Sequence, residues 1–348
     1  MNENQQPHPH RIDPVQIAKI AMDEINRPAP DTPGILNIKR SYEWIEQAMQ
    51  QPVPTMLFDE FWNEGEICIL FADTNAGKSI LAVQIADSIS RGEAIQGFRL
   101  EAQAQPVIYF DFELSCKQYE LRYSNGYRGH YTFHPNLYRA ELNPGDTLPL
   151  GCHSFEDCII AGIEEAVLNR NVKVLVIDNL TYLRDDNERA RDAKPLMQKL
   201  MALKKEHGLS ILILAHTPKR DPGSPITLNH LQGSKMLMNF CDSSFCIGTS
   251  TQDKNLRYLK QIKVRAGEYR YTADQVALCR IEKPANFLGF WYIGTGHEKE
   301  HLKEKEEGDK AELIQRAKEL KGEGKTQREI AEEMGISLGA VNKYLKTE

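Results

Sequence analysis

The chain has 348 residues, of which 41% are hydrophobic and 26% are charged, and its formal net charge is −6 at pH 7. This composition is typical of a soluble globular protein with one large domain and smaller additions. The weakly acidic balance argues against a uniformly basic nucleic-acid coat, although it is compatible with a local basic groove. No apolar run reaches the roughly 18 residues of a membrane span, and no secretory signal opens the sequence. We therefore expect a cytoplasmic protein without a membrane partner.

Seven cysteines are scattered along the sequence without a C-x-x-C pair. The odd count and irregular spacing predict reduced thiols rather than a disulfide framework. Cys68 and Cys246 lie in apolar runs, which is where buried thiols are expected.

Residues 1–54 precede the first strong strand pattern, and we predict a disordered leader followed by a helical N-terminal segment. Helical spacing is present at 14–25 and again at about 42–50. Between them, residues 27–34 are rich in proline and predict a linker.

The most informative segment is 66–79, EICILFADTNAGKS, in which an apolar strand leads into a phosphate-binding loop and then a helix. The backbone N–H groups of such a loop cradle phosphates, its lysine reaches the β- and γ-phosphates, and its hydroxyl residue ligates Mg²⁺. The pattern G-x-x-x-x-G-K-[ST] has one departure, because Ala72 stands at the first glycine. We expect ATP and Mg²⁺ as ligands, with Trp62 or Tyr182 as candidates for stacking on adenine. The predicted loop contacts are Ala72, Asp73, Thr74, Asn75, Ala76, Gly77, Lys78, Ser79 and Ile80.

Between residues 55 and 295, short apolar runs alternate with helical patterns, which predicts an α/β domain with a mainly parallel sheet. The later runs alternate in polarity, and we expect them to form antiparallel strands near one edge. The predicted strands are 67–71, 107–112, 174–177, 211–215, 245–247 and 258–264, followed by 269–271, 276–282 and 287–293.

Two of these strands lead into carboxylates that suit phosphate chemistry. Asp178 ends one strand, where a carboxylate can hold Mg²⁺ together with Ser79. Glu113 follows another strand and is the candidate base that polarises water, with Asp111 on the same face as a second candidate. The alternatives are an ordinary strand-end acid for Asp178 and a helix-capping or surface acid for Glu113.

Residues 296–310 are dominated by charge and predict a solvated connector, and residues 311–348 predict a small all-α helix-turn-helix domain. Gly335 supplies the turn, and Thr326 and Ser337 are candidate N-caps. The alternative to DNA contact is a helical bundle that binds protein. The residues expected to contact duplex DNA are Ser337, Asn342, Lys343 and Lys346.

The order of parts resembles the RecA-like ATPases: a phosphate loop, then strands that end near Glu113, Asp178 and His216. The closest likeness is to hexameric helicases such as plasmid RepA and DnaB, with the KaiC-type ATPases nearby. The resemblance covers about residues 55–295. It implies a RecA-like fold, ATP hydrolysis and a homo-oligomeric, hexameric ring.

The segment from Lys263 to Gly267, KVRAG, resembles a K-x-R-x-G element that these ATPases insert into the neighbouring subunit's site. The resemblance implies that Lys263 and Arg265 act there on charge that grows at the transferred phosphoryl group. It also implies that His216 senses the γ-phosphate. The alternatives are two charges on an edge strand and a polar strand terminus.

The segment 218–230 is rich in turn residues and partly basic, and the resemblance places it along a central channel for single-stranded DNA. Lys219, Arg220 and His230 are the candidate phosphate contacts. A second candidate loop at 184–191 is mixed in sign and has a subunit contact as its alternative.

Two functional hypotheses follow. The first is a ring-forming, ATP-driven motor on DNA, such as a RepA-like replicative helicase of a plasmid or mobile element. The second is a DNA-bound ATPase switch that regulates replication or transposition, or loads a helicase, without processive unwinding. A scaffold with a decayed ATP site is disfavoured, because the predicted phosphate- and metal-binding residues are all present.

Overall fold

The computed structural model describes residues 36–142, 154–179, 193–218, 220–231, 234–265, 267–303 and 307–347. The chain divides into two compact units, residues 1–53 and 54–348. In the first unit, helix α1 (Ser41–Met49) confirms the predicted helix at about 42–50, and none of its residues is buried. The expected helix at 14–25 and the linker at 27–34 lie outside the described residues.

The described strands of the second unit are β1 (Met56–Phe58), β2 (Trp62–Asn63), β3 (Ile67–Ala72), β4 (Val107–Asp111), β5 (Leu137–Ala140), β6 (Val174–Asp178), β7 (Ser210–His216), β8 (Ser243–Thr249), β9 (Leu256–Lys263), β10 (Val276–Glu282) and β11 (Gly289–Gly296). Its described helices are α2 (Lys78–Arg91), α3 (Cys116–Arg122), α4 (Phe155–Arg170), α5 (Ala193–His207), α6 (Ser234–Phe240), α7 (Glu307–Gly322), α8 (Gln327–Met334) and α9 (Leu338–Lys346). Two short 3-10 helices span Leu228–His230 and Glu298–His301. Within the described ranges, no helix is both long and apolar enough to cross a membrane.

Nine strands form one sheet in the order β11-β10-β9-β8-β3-β7-β6-β4-β5. The strands from β8 to β5 in that order pair in parallel, whereas β8 to β11 pair antiparallel. Strand β3 lies between β7 and β8, and all six of its residues are buried, as expected for a parallel strand covered on both faces. The predicted α/β fold, with a mainly parallel sheet and antiparallel strands at one edge, is confirmed.

The predicted strand at 269–271 is absent from the structure. The side chain of Gln261 takes the place of a partner strand there, because its Oε1 accepts hydrogen bonds from the backbone N–H groups of Arg270 and Tyr271, each at 2.7 Å. The alternation of polar and apolar residues does not show whether backbone N–H groups pair with a strand or with a side chain, so the sequence pattern could not distinguish the two.

The prediction of a solvated connector over 296–310 is wrong for the start of that range. Glu298 is only 1% exposed, and its carboxylate accepts hydrogen bonds from Lys260, from the Tyr258 hydroxyl and from the backbone N–H of Ile226. A buried carboxylate needs such partners to offset its lost hydration. This charged segment is therefore part of the folded core.

The C-terminal helices α7, α8 and α9 pack around a small core of their own. Thr326 and Ser337 cap α8 and α9 by accepting backbone hydrogen bonds, which confirms both predicted N-caps. Gly335 has a φ of 63° and lies in the left-handed conformation between the two helices. The residues with no exposed area in this core are Ala317, Leu320, Ile330 and Val341.

Cys158 is disulfide-bonded, so the prediction of reduced thiols is wrong at this position. Five other described cysteines are free, and four of these are buried, including Cys68 and Cys246 as predicted. The exposed one is Cys116, at the start of α3.

Leu212 in β7 is fully buried at the centre of the sheet. We expect Leu212→Ala to lower the free energy of unfolding by about 2–5 kcal/mol, because the substitution leaves a cavity. Leu168→Ala in α4 is the matched control, since that side chain is 61% exposed, and its effect should stay within about 0.5 kcal/mol. Urea unfolding of the two variants measures both values, and equal effects would contradict this placement of the core.

Candidate active site

The predicted phosphate loop connects β3 to α2 at the carboxyl edge of the parallel strands. Asn75 and Gly77 have left-handed backbone conformations, with φ of 62° and 104°. The position of Gly77 favours glycine because of its backbone angle, and an added Cβ would also lie 2.7 Å from Ile281 Cδ1, which would have to shift. Ala72 is the buried last residue of β3 and has no positive φ, so the absence of the first glycine causes no backbone strain.

Lys78 begins α2 with a side chain that is almost completely buried. Its ammonium Nζ donates hydrogen bonds to the carbonyl oxygens of Ala72, at 3.0 Å, and Asp73, at 3.3 Å. The same Nζ lies 3.2 Å from His216 Nδ1. Burial lowers the pKa of Lys78, and neighbouring carboxylates oppose that shift. The ammonium is therefore held over the loop, where phosphate oxygens would replace the two carbonyls as its acceptors.

Asp178 ends β6 and is buried, with 1% of its surface exposed. Its carboxylate accepts a hydrogen bond of 2.5 Å from the Tyr109 hydroxyl and another from Ser79. Burial raises the pKa of Asp178 to about 6. The adjacent hydroxyl and carboxylate oxygens of Ser79 and Asp178 form a donor set that fits Mg²⁺, which prefers oxygen ligands.

Glu113, Asn179 and His216 form a cluster beside the loop. The Asn179 amide donates a hydrogen bond to Glu113 Oε1 and lies 3.1 Å from His216 Nε2. The His216 imidazole, 3.7 Å from Glu113 Oε1, lowers the pKa of that carboxyl group. His216 thus bridges Lys78 on one side and Glu113 on the other. Asn179 was not predicted, although a polar residue directly after a buried parallel strand is a signal for it.

Asp111 has a different role from the one predicted. Its carboxylate accepts hydrogen bonds from Arg139 Nε, at 2.9 Å, and from the backbone N–H groups of Glu113, at 3.2 Å, and Leu114, at 2.9 Å. The expectation that Asp111 and Glu113 share one strand face is wrong, because β4 ends at Asp111 and the chain bends before Glu113. Asp111 instead fixes the bend that presents Glu113.

Lys263 and Arg265 lie far from this chain's own phosphate loop. Lys263 pairs with Ser244 near the start of β8, whereas Ala72 pairs with Ile247 three residues further along β8. At about 3.3 Å per residue, this register separates Lys263 from the end of β3 by about 10 Å along the strands. Arg265 lies two residues beyond Lys263, past the end of β9.

Both cations have partners within the chain. Lys263 Nζ donates to the carbonyl oxygens of Met238 and Cys241, the latter at 2.7 Å, at the end of α6. Arg265 forms an ion pair of 2.6 Å with Asp242, and its side chain remains 56% exposed. The Lys263 ammonium is thus occupied within its own chain, although β9 is not the edge strand that the alternative supposed, because it pairs with both β8 and β10. Arg265 remains accessible to a second molecule.

Among the predicted single-strand contacts, Arg220 is contradicted by its position. Its Nε donates to Asp73 Oδ2 at 3.0 Å, and its side chain is only 4% exposed, so it presents no charge to a DNA strand. The Nδ1 of His230 accepts a hydrogen bond of 2.9 Å from the backbone N–H of Thr227. Lys219 lies outside the described residues, as does the second candidate loop at 184–191.

The base-stacking prediction for Trp62 is wrong, because this side chain has no exposed area and its Nε1 donates to the carbonyl oxygen of Glu66. Tyr182, the other candidate, is not among the residues that the structure describes. Arg257 was not predicted, yet its Nε donates to the carbonyl oxygen of Ala76 at 3.0 Å. No local sequence signal marks Arg257, because only the pairing of β9 with β8 brings it to the loop.

The predicted duplex-contacting residues lie on or next to α9. Ser337 is its exposed N-cap, and Asn342, Lys343 and Lys346 are exposed along it. The Asn342 side chain accepts a hydrogen bond of 3.1 Å from Gln327 of α8. The two lysines lie in the last turn, where their charge also complements the helix dipole.

Comparison with known proteins identifies the family. The AAA_25 model, which describes an AAA domain, matches residues 35–222, a stretch that includes the phosphate loop, Glu113, Asp178 and His216. The chain belongs to this family. It is thus a P-loop ATPase, and its sheet order and loop position make it RecA-like in fold.

A KaiC-like protein from the hyperthermophilic archaeon Pyrococcus horikoshii OT3 is similar in structure, with a TM-score of 0.46 and 16% sequence identity. The alignment covers 67% of this chain and 91% of the archaeal chain. Among curated proteins, none matches this sequence.

The raised pKa of Asp178 gives a prediction for stability. The folded-state pKa of about 6 lies above the ordinary value of 3.8, so the native chain loses stability as pH rises through about 6. Asp178→Asn has no such loss, and its advantage in unfolding free energy should grow by about 1 kcal/mol between pH 5 and pH 7.5, because roughly half of the full loss of about 3 kcal/mol falls below pH 5.

Urea unfolding at both pH values, without metal or nucleotide, measures this difference. Asp253→Asn, at a carboxyl group whose pKa is lowered by the backbone N–H of Asn255, is the control and should show no such gain at higher pH. A pH-independent difference for Asp178→Asn would contradict the assignment.

Proposed function

We propose that this ATPase is a ring-forming, hexameric motor that hydrolyses ATP and acts on DNA, as a RepA-like replicative helicase of a plasmid or mobile element. The observation that carries the proposal is the convergence of Lys78, Ser79, Glu113 and Asp178 at one edge of the sheet, with His216 between the lysine and Glu113. This arrangement supports phosphoryl transfer to water.

In the proposed mechanism, the loop N–H groups and Lys78 bind the triphosphate, while Ser79 and Asp178 hold Mg²⁺. A bound Mg²⁺ would neutralise charge that develops on the phosphate oxygens. Glu113 has a lowered pKa and is therefore ionised at neutral pH, so it can accept a proton from the attacking water. The contacts of Glu113 with Asn179 and His216 keep its carboxylate at a fixed position.

The location of Arg265 supports a shared site. It lies at the opposite end of the strands from its own loop and is more than half exposed, so the nucleotide it could reach belongs to another subunit. In a ring, each subunit would supply this cation to its neighbour, where it stabilises charge in the transition state. Single-stranded DNA would pass along the loop that follows β7, with Lys219 and His230 as its contacts.

A specific observation favours the alternative of a DNA-bound ATPase switch. Burial of Arg220 removes one of the three predicted single-strand contacts, whereas the exposed Lys343 and Lys346 remain available to duplex DNA. In that alternative, nucleotide would control assembly at a DNA site bound by α7 to α9, without unwinding. Hydrolysis by the motor should rise with single-stranded DNA, and hydrolysis by the switch should be indifferent to it.

Sharing of sites can be tested by complementation. Glu113→Gln should lower hydrolysis by about 10²-fold or more, and Arg265→Ala should lower it by about 10³-fold. In an equal mixture assembled together, about a quarter of the interfaces would combine an intact Glu113 with an intact Arg265. We therefore expect the mixture to recover about a quarter of the native hydrolysis rate, measured as phosphate release with and without single-stranded DNA.

The control is a mixture of Glu113→Gln with Lys78→Ala. Both substitutions affect the subunit that carries the phosphate loop, rather than the neighbour that would supply Arg265. That mixture should not recover activity, because no subunit in it has both an intact Lys78 and an intact Glu113. A mixture of Glu113→Gln and Arg265→Ala that hydrolyses no faster than the average of its parts would overturn the shared-site motor.

Duplex binding gives a separate prediction for α9. Lys343→Ala and Lys346→Ala should each weaken binding to any duplex and reduce the slope of log affinity against log salt by about 1, because each removes one phosphate contact. Fluorescence anisotropy over a salt series measures this slope. Lys321→Ala in the last turn of α7 is the control, and an equal effect of this variant would refute a specific role for α9.

A further inference from the structure

An acidic side chain lies within the phosphate loop itself. Asp73 directly follows β3, and both of its carboxylate oxygens are engaged: Oδ1 by the Thr217 hydroxyl and Oδ2 by Arg220 Nε at 3.0 Å. Such a loop binds anions through its backbone N–H groups. An uncompensated carboxylate at this position would repel the triphosphate that the loop is proposed to hold.

Arg220 is fixed more firmly than a surface cation. Its side chain is 4% exposed, and its Nη1 donates to the carbonyl oxygens of Ser224, at 3.1 Å, and Asp221, at 3.5 Å. The Asp221 carboxylate in turn accepts hydrogen bonds from the Gly223 N–H, at 2.8 Å, and the Ser224 hydroxyl, at 3.1 Å. The turn after β7 is therefore folded around the guanidinium that neutralises Asp73.

The same turn is anchored at its other end. The backbone N–H of Ile226 donates to Glu298 Oε1 at 2.8 Å, and Ile226 is buried. At the near end, the backbone N–H of Thr217 donates to the carbonyl oxygen of Ala72 at 3.2 Å. Two fixed ends leave Arg220 little freedom to move away from Asp73.

We propose that Arg220 is a positioning residue of the nucleotide site, which makes the phosphate loop competent for ATP by neutralising Asp73. The ion pair also joins the phosphate loop to the turn that leads towards the 3-10 helix Leu228–His230, so nucleotide affinity depends on the fold of that turn. This inference rests on the proposed function, because it takes ATP as the ligand.

The test is a charge-rescue series in the full-length chain, with Mg²⁺-ATP binding measured by titration calorimetry. We expect Arg220→Gln to weaken ATP binding by about tenfold or more, because Asp73 becomes an uncompensated anion beside the phosphates. Arg220→Lys should bind ATP more tightly than Arg220→Gln, since the charge is kept, although one ammonium cannot make all the contacts of the guanidinium. Asp73→Asn should bind ATP at least as tightly as the native chain.

The double variant Asp73→Asn with Arg220→Gln decides the matter. Affinity should return to within about threefold of native, because no anion remains to be neutralised. If Arg220 only supported the fold of the turn, the double variant would bind as weakly as Arg220→Gln, and that result would overturn the proposal. Unchanged binding by Arg220→Gln would overturn it equally.

Two controls separate this inference from the proposed function. Arg99→Gln removes a more exposed guanidinium that pairs with Asp59 and Glu60 before β4, and it should leave ATP affinity unchanged. Lys78→Ala should abolish binding through the loop itself. Absence of ATP binding by the native chain would overturn the proposed function and this inference together. If the native chain binds ATP and the Arg220 variants bind it with the same affinity, only the inference is overturned.

Discussion

The site depends on holding an ammonium group and several carboxylates together where parallel strands end. Lys78 and Asp178 are both buried, and each charged form alone would lose much of its hydration free energy. Together they compensate one another, and the loop carbonyls and the Tyr109 hydroxyl supply further partners. This compensation requires that β3, β7, β6 and β4 lie side by side, so the sheet order is a condition for the chemistry.

The two acidic groups of the site have pKa shifts of opposite sign, which suits them to the different roles proposed for them. Burial raises the pKa of Asp178, whereas the His216 imidazole lowers the pKa of the more exposed Glu113. A carboxylate that is costly to ionise gains most from a bound cation, whereas one that stays ionised at neutral pH is present in the unprotonated form that a general base requires. The same sheet edge thus carries the proposed metal ligand, Asp178, and the proposed base, Glu113.

Local patterns predicted the fold correctly, and they named Lys78, Ser79, Glu113 and Asp178, which the structure brings together at one edge of the sheet. Strand β3 with the phosphate loop, and β6 with Asp178, each lie within a short stretch whose hydrophobicity and turn residues predict the structure. The errors arise where a partner is remote in sequence. Arg220 reads as a basic loop residue until its partner Asp73, 147 positions away, is known. Glu298 reads as one of many surface charges, because its partners come from two other elements.

The contact between Ile226 and Glu298 joins residues 72 positions apart and has a consequence for the order of folding. During synthesis, the turn after β7 emerges long before the carboxylate that anchors it. The turn can take its final form only when the ribosome has passed residue 298, after all eleven described strands have been made. A chain cut at 295, the boundary expected from the hydrophobic pattern, would keep all the described strands except for the last residue of β11. It would still leave the Lys260 ammonium buried without its carboxylate partner Glu298.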